Sequence, residues 1–162
     1  MGEGEKGLTP EFYLEGSLHG LAKWLRFLGY RCSVCEKTLD LKEIIANRDK
    51  TFLITSLSTA EVLKKLGLNY LVLPRQDLKA QLRLVITKFN LNTELTLDIC
   101  SVCGHRLIPV EKEKVKDSVP PRVYKSYDEF NLCPGCGRIY WEGDHVQRLK
   151  SKLKKLIGGV KL

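Results

Sequence analysis

Apolar residues follow two different periods along the first ninety positions. Phe12-Tyr13-Leu14 is a short apolar run closed by Glu15-Gly16, and it predicts a strand and its exit. Leu18, Leu21, Ala22, Leu25 and Leu28 then recur on one helical face, with Lys23 and Arg26 off that face and Gly29 as a helix stop. Residues 31–35 alternate polar and apolar, as a second strand would, and 41–47 is a short helix. The run 51–55 (TFLIT) predicts a buried strand, and 58–66 a helix capped by Ser58 or Thr59 with Gly67 beyond its end. Residues 70–73 form another strand, stopped by Pro74, and 78–89 a further helix. Strictly alternating strands and helices predict an α/β fold, a mainly parallel sheet covered by helices. In such sheets ligands sit outside the C-terminal strand ends. Glu15, Leu57 and Asp77 fall near those ends, and Glu43 opens the helix after the second strand.

The pattern changes near residue 97. Helical spacing gives way to Cys, Gly and Pro, and the last segment, 144–157, regains it with Val146, Leu149, Leu153 and Leu156 as one stripe. The expected organisation is a flexible N-terminus over 1–11 and an α/β domain over 12–96. A metal ribbon over 97–143 and a basic C-terminal helix and tail over 144–162 complete it.

All six cysteines lie in C-x-x-C pairs, at 32/35, 100/103 and 133/136. The first fifteen residues lack the order of a secretory signal, so a reduced, cytoplasmic protein with bound metal is expected rather than a disulfide framework. Cys100-Ser-Val-Cys103-Gly104 and Cys133-Pro-Gly-Cys136-Gly137 are two knuckles, with 29 residues between Cys103 and Cys133. In each, a tight turn brings two sulfurs to one side, and the following glycine lets the backbone fold back. Together they supply four thiolates for a structural tetrahedral Zn²⁺. Cys32 and Cys35 have no such glycine and no partner pair, and they read as two buried thiols on a strand.

Composition adds a charge argument. The net charge is +8, with +3 over residues 1–97 and +5 over 98–162, and 145–162 holds six basic residues and no acid. Lys112, Arg122 and Lys125 in the ribbon, and Arg148, Lys150, Lys152, Lys154 and Lys155 in the last helix, are candidate phosphate contacts. Nearby aromatics offer stacking surfaces for single-stranded RNA. No apolar stretch is long enough to span a membrane.

The segment 12–30 (FYLEGSLHGLAKWLRFLGY) resembles the opening of the Mut-seven C-terminal RNase family. Residues 119–124 (VPPRVY), 128–130 (DEF), 133–141 (CPGCGRIYW) and 143–145 (GDH) resemble its ribbon half. The resemblance implies a PIN-like nuclease domain joined to a zinc ribbon. It implies catalytic Mg²⁺ or Mn²⁺ held by acids, with Glu15 in place of the family's first Asp, Glu43 as the acid after the second strand, and Asp77 in the acidic stretch after Pro74. The family's Thr-Arg-Asp after the third strand is here Thr55-Ser56-Leu57, a leucine where a ligand is expected. The readings left open are a metal-dependent ribonuclease, a catalytically weakened relative that binds RNA, and a non-catalytic adaptor whose zinc ribbon docks a protein partner.

Overall fold

A computed structural model describes residues 9–158. Most of the N-terminal segment expected to be flexible, and the last four residues of the tail, lie outside the described residues. Strands β1 (Phe12–Leu14), β2 (Cys32–Val34), β3 (Thr51–Ile54) and β4 (Tyr70–Val72) make one parallel sheet in the order β2-β1-β3-β4. The register sets Phe12 beside both Cys32 and Thr51, and Phe52 beside Tyr70. Between them run α1 (His19–Phe27), α2 (Leu41–Ala46) and α3 (Leu57–Lys65), followed by α4 (Leu78–Phe89).

Alternation along the strands assigns the two faces of the sheet. Phe12, Leu14 and Leu53 point to one face, where Leu21 and Leu25 of α1 and Leu82, Val85 and Ile86 of α4 close over them. Tyr13, Phe52 and Ile54 point to the other, against Ile44 of α2 and Ala60 and Leu63 of α3. Both faces are therefore dry, which is why these strands read as unbroken apolar runs. The result is a three-layer α/β/α domain with the PIN-like arrangement that the resemblance implied.

Local chemistry fixes the helix ends. Gly29 takes φ +98° after α1, and the Tyr30 N–H reaches back to the Leu25 carbonyl at 3.0 Å. Asp40 caps α2 by accepting from the Glu43 N–H at 2.9 Å. The cap of α3 is Ser56, which accepts from the Thr59 N–H at 3.3 Å, rather than Ser58 or Thr59. The helix starts earlier than its apolar periodicity showed, because Leu57 in its first turn is exposed and contributes nothing to the buried stripe.

The ribbon is a separate antiparallel sheet, β5 (Ile108–Val110), β6 (Phe130–Leu132) and β7 (Ile139–Tyr140), in that order. The stretch between β5 and β6 holds a 3-10 turn, Lys112–Val115, and a short helix, α5 (Pro121–Ser126). Sequence periodicity missed α5 because six residues are too few to show it, although Pro121 at its first turn is a helix-start signal. Val115, Val119 and Phe130, with Val123, Tyr124, Tyr127 and Trp141 packed against them, give this insertion its own small core.

The last helix, α6 (Asp144–Ile157), packs against α4 instead of the ribbon. Leu153 is buried in the core of the α/β domain, with Leu149, Leu156 and Ile157 packed on it. Arg83 of α4 donates to the carbonyls of Leu156, at 3.2 Å, and Gly158. The chain thus leaves the α/β domain, builds the ribbon and returns to cover α4. Among the described residues no helix is long and apolar enough to cross a membrane.

Candidate functional site

The four-cysteine cluster, a candidate metal centre, is built by two turns of identical form. Gly104 and Gly137 take φ +82° and +80°, and their N–H groups donate to the carbonyls of Cys100 at 3.0 Å and Cys133 at 2.8 Å. The left-handed step at each glycine turns the chain back so that both sulfurs of a pair face inward. All four Sγ atoms lie within 4.8 Å of one another. Cys100 and Cys136 are 3.8 Å apart, and Cys103 and Cys133 3.2 Å. A tetrahedron with metal–sulfur bonds near 2.3 Å has sulfurs about 3.8 Å apart, so the set fits a four-coordinate thiophilic metal such as zinc.

Neighbouring groups favour thiolate at one corner and oppose it at another. Burial raises the Cys100 pKa, but the Tyr140 hydroxyl and the N–H groups of residues 102 and 103 outweigh it and bring the value down to about 6. Burial pushes Cys103 up to about 12, helped by hydrogen bonding to Cys133 and Cys100. Four thiolates this close repel one another, and a divalent cation removes that repulsion. His105 Nδ1 lies 3.0 Å from Cys103 Sγ, at the margin of a set that four cysteines already complete.

Cys32 and Cys35 do not join this centre. Cys32 is buried on one face of the sheet and Cys35 on the other. An odd separation along a strand sends two side chains to opposite faces, so the pair can neither bridge nor share a metal. Burial pushes the Cys32 thiol up to about 12, against the nearby Arg26 charge. No two of the six cysteines are joined in a disulfide.

Arg26 is the residue that periodicity misplaced. It lies off the leucine stripe of α1, yet it is only 8% exposed. Its guanidinium donates to the Cys32 carbonyl from Nη2 at 2.7 Å and Nε at 3.2 Å. Its Nη1 donates to the carbonyls of Ser101 at 3.2 Å and Val102 at 3.1 Å. One buried cation thereby ties the outer strand of the α/β sheet to the first knuckle. A Cβ at Gly104 would stand 2.9 Å from the Cys32 carbonyl oxygen, so glycine is needed there for contact as well as for conformation.

The second candidate region is the carboxyl edge of the parallel sheet. The chain runs from β1 outward to β2, then crosses back to β3 on the other side, so the order reverses between β1 and β3. A crevice opens where successive connections leave on opposite faces, and there α/β proteins bind ligands. Glu15 follows β1 and Thr55 follows β3 at that point. The Thr55 N–H donates to Glu15 Oε1 at 3.0 Å, the Thr55 hydroxyl to Oε2, and the Ser17 hydroxyl to Oε2 at 2.9 Å. Burial raises the Glu15 pKa, but these hydrogen bonds outweigh it and the value is lowered overall. Glu15 is an ionised carboxylate held at the switch point.

The other expected acids are occupied elsewhere. Glu43 accepts from the Tyr13 hydroxyl at 2.6 Å and lies 3.8 Å from Lys37 Nζ. Asp77 caps α4 by accepting from the Ala80 N–H at 3.1 Å, in a left-handed conformation that aspartate tolerates. Among the described residues, the four cysteines are the one group of three or more ligand-bearing side chains close enough to share an ion. Glu15, Glu43 and Asp77 are not part of such a group. Leu57 opens α3 two residues beyond Thr55 and is 73% exposed.

The candidate basic residues divide in two. Lys112 is engaged, 3.0 Å from Asp128 Oδ1 and 4.9 Å from the centre of the Tyr124 ring. Arg122 and Lys125 are exposed on α5. Arg148, Lys150, Lys152, Lys154 and Lys155 are all exposed on α6, whose apolar side is against α4. Trp141 packs against Phe130 in the small core of the insertion.

A family model described as the Mut7-C RNAse domain matches residues 10–153, nearly the whole chain. No curated protein and no solved structure gives a significant match.

Proposed function

Because the chain belongs to the Mut7-C RNAse domain family, we propose that it is an RNA-binding protein whose metal-dependent ribonuclease site is weakened. The observation that carries this reading is the carboxyl-edge crevice. It offers one ordered carboxylate, Glu15, whose oxygens already accept from Thr55 and Ser17. Leucine stands at position 57, in the first turn of α3, where the family places another acid. Cleaving a phosphodiester with bound cations takes enough carboxylates to hold them while water attacks in line. One hydrogen-bonded glutamate falls short of that.

The metal at the four cysteines is zinc on this reading, and its role is structural. Four thiolates close the coordination sphere and leave no position for a reacting water. Tyr140 steadies Cys100, and Arg26 holds the first knuckle against the sheet. The protein works in a reducing, cytoplasmic setting, where its thiols stay available for the metal.

RNA affinity comes chiefly from α6. The helix contributes five exposed cations, whereas Lys112 is already paired. Phosphate contacts release counterions, so binding should weaken steeply with salt. The test is a salt titration of labelled single-stranded RNA with the zinc-loaded chain, together with cleavage in Mn²⁺. Binding with a clear salt slope and little cleavage is expected. Absent binding would leave the adaptor reading, and rapid Mn²⁺-dependent cleavage would restore the full enzyme.

A further inference from the structure

The return of α6 to the α/β domain creates a groove. It runs between the segment 93–95 and α6, with a volume of about 580 Å³. That lies within the range of small-ligand sites and admits one nucleotide. Its floor is apolar, made by half-buried Leu95 and Ile157 and buried Leu153. Its rim is polar, with Thr93 and Glu94 on one side and Gln147, Lys150, Ser151 and Lys154 on the other.

We propose that this groove holds one unstacked nucleotide of single-stranded RNA, with a preference for cytosine over uracil. This rests on the RNA-binding reading and assigns it a subsite. Lys150 and Lys154 are one helical turn apart, about 6 Å along the axis, and project on the same flank of α6. They suit two neighbouring phosphates of an extended strand. The apolar floor suits the face of a base, and an exposed base is what single-strand readers capture. Glu94 on the opposite rim accepts hydrogen bonds and donates none while ionised. Cytosine offers its N4 amine to such an acceptor, whereas uracil offers the O4 carbonyl at the same place. The two lysines outnumber the one carboxylate, so the groove attracts a phosphate chain and keeps one discriminating acceptor.

The experiment uses the full, zinc-loaded chain and fluorescence anisotropy of labelled C8 and U8 oligonucleotides. The parent should bind C8 about tenfold more tightly than U8, the size of effect expected from one good base contact. Glu94→Gln should reduce that ratio below about threefold, because an amide satisfies either base. Ser151→Trp fills the groove from an exposed position without changing charge. It should weaken C8 at least about tenfold with an unchanged salt slope. Lys150→Ala/Lys154→Ala should lower the salt slope by about 1.4, two phosphate contacts' worth for a single strand. Thermal melting and zinc content verify that each variant is folded. Equal affinity for C8 and U8, or parent-like binding by Ser151→Trp and the double lysine variant, overturns the subsite and leaves RNA binding standing. A parent that binds neither oligonucleotide overturns both.

Discussion

Replacing Arg26 by methionine should cost the protein about 3 kcal/mol of stability. Methionine keeps the unbranched stem and its packing, so the substitution removes mainly the charge and its donors. Four hydrogen bonds to three carbonyls disappear. Hydrogen bonds to a charged group contribute about 1.5–3 kcal/mol each to stability, but the sum overstates the loss. Ser101 is half-buried and Val102 exposed, so their carbonyls can turn to water. The Cys32 carbonyl belongs to a buried residue, and leaving it unpaired costs about 1–3 kcal/mol. Relief from burying a guanidinium offsets part of the total. The balance, about 3 kcal/mol, lowers Tm by roughly 6–12 °C for a chain of this size. A second consequence is specific to the tie. With Ser101 and Val102 released, the first knuckle should lose its metal to a chelator faster, which a zinc-sensitive dye reads directly. Arg26→Lys, with one shorter cation, should fall between parent and methionine. A methionine variant within about 1 kcal/mol of the parent, with unchanged metal release, would refute the account of Arg26 as the link between sheet and ribbon.

Cys100→Ser/Cys133→Ser should lose the bound zinc, as metal analysis of the purified protein will show; full zinc content would remove these residues from the site. Glu15 has a lowered folded pKa, so its stabilising contribution is fully present above the unfolded glutamate value of about 4.3 and is lost as pH falls through the folded one. Glu15→Gln should therefore flatten the acid limb of a stability–pH curve, and identical limbs would contradict the hydrogen-bond argument. On α6, Arg148→Ala/Lys152→Ala/Lys155→Ala should lower the salt slope of RNA binding by about 2 with little change in melting, if each cation meets a phosphate. Leu153→Ala should do the reverse and cost about 2–5 kcal/mol, because it opens a cavity against α4.

Much of the α/β domain was legible because its strands are buried on both faces and its helices carry single stripes. The knuckles were legible for a different reason: a C-x-x-C-G turn is local, so spacing alone predicts where the sulfurs go. The same spacing on β2 means the opposite. There Cys32 and Cys35 part to two faces, and the strand geometry, not the motif, decides. Arg26 was hidden because its partners, Ser101 and Val102, are some seventy-five residues away. The docking of α6 on α4 was hidden likewise, since its leucine stripe shows that something covers it without showing what. For Glu15, Glu43 and Asp77, nearness to strand ends and helix starts was visible in the chain, but convergence is a property of side-chain direction. Asp77 turns to its own helix and Glu43 to Tyr13, which leaves Glu15 at the crevice.

Position 57, at the head of α3 beside the crevice, carries leucine and no carboxylate. The direct measurement is Mn²⁺-dependent cleavage of labelled single-stranded RNA by the parent, Leu57→Asp and Leu57→Asp/Glu15→Gln, with Mn²⁺ binding to each followed by calorimetry. Aspartate in the first turn of α3 is favoured by the helix dipole and adds a charged oxygen beside Thr55, so it should be tolerated and should tighten Mn²⁺ binding. Little cleavage by the parent is expected, with a gain of at least about tenfold in Leu57→Asp and loss of that gain when Glu15 is also changed. Robust cleavage by the parent, with no gain from Leu57→Asp, would contradict the weakened-site reading.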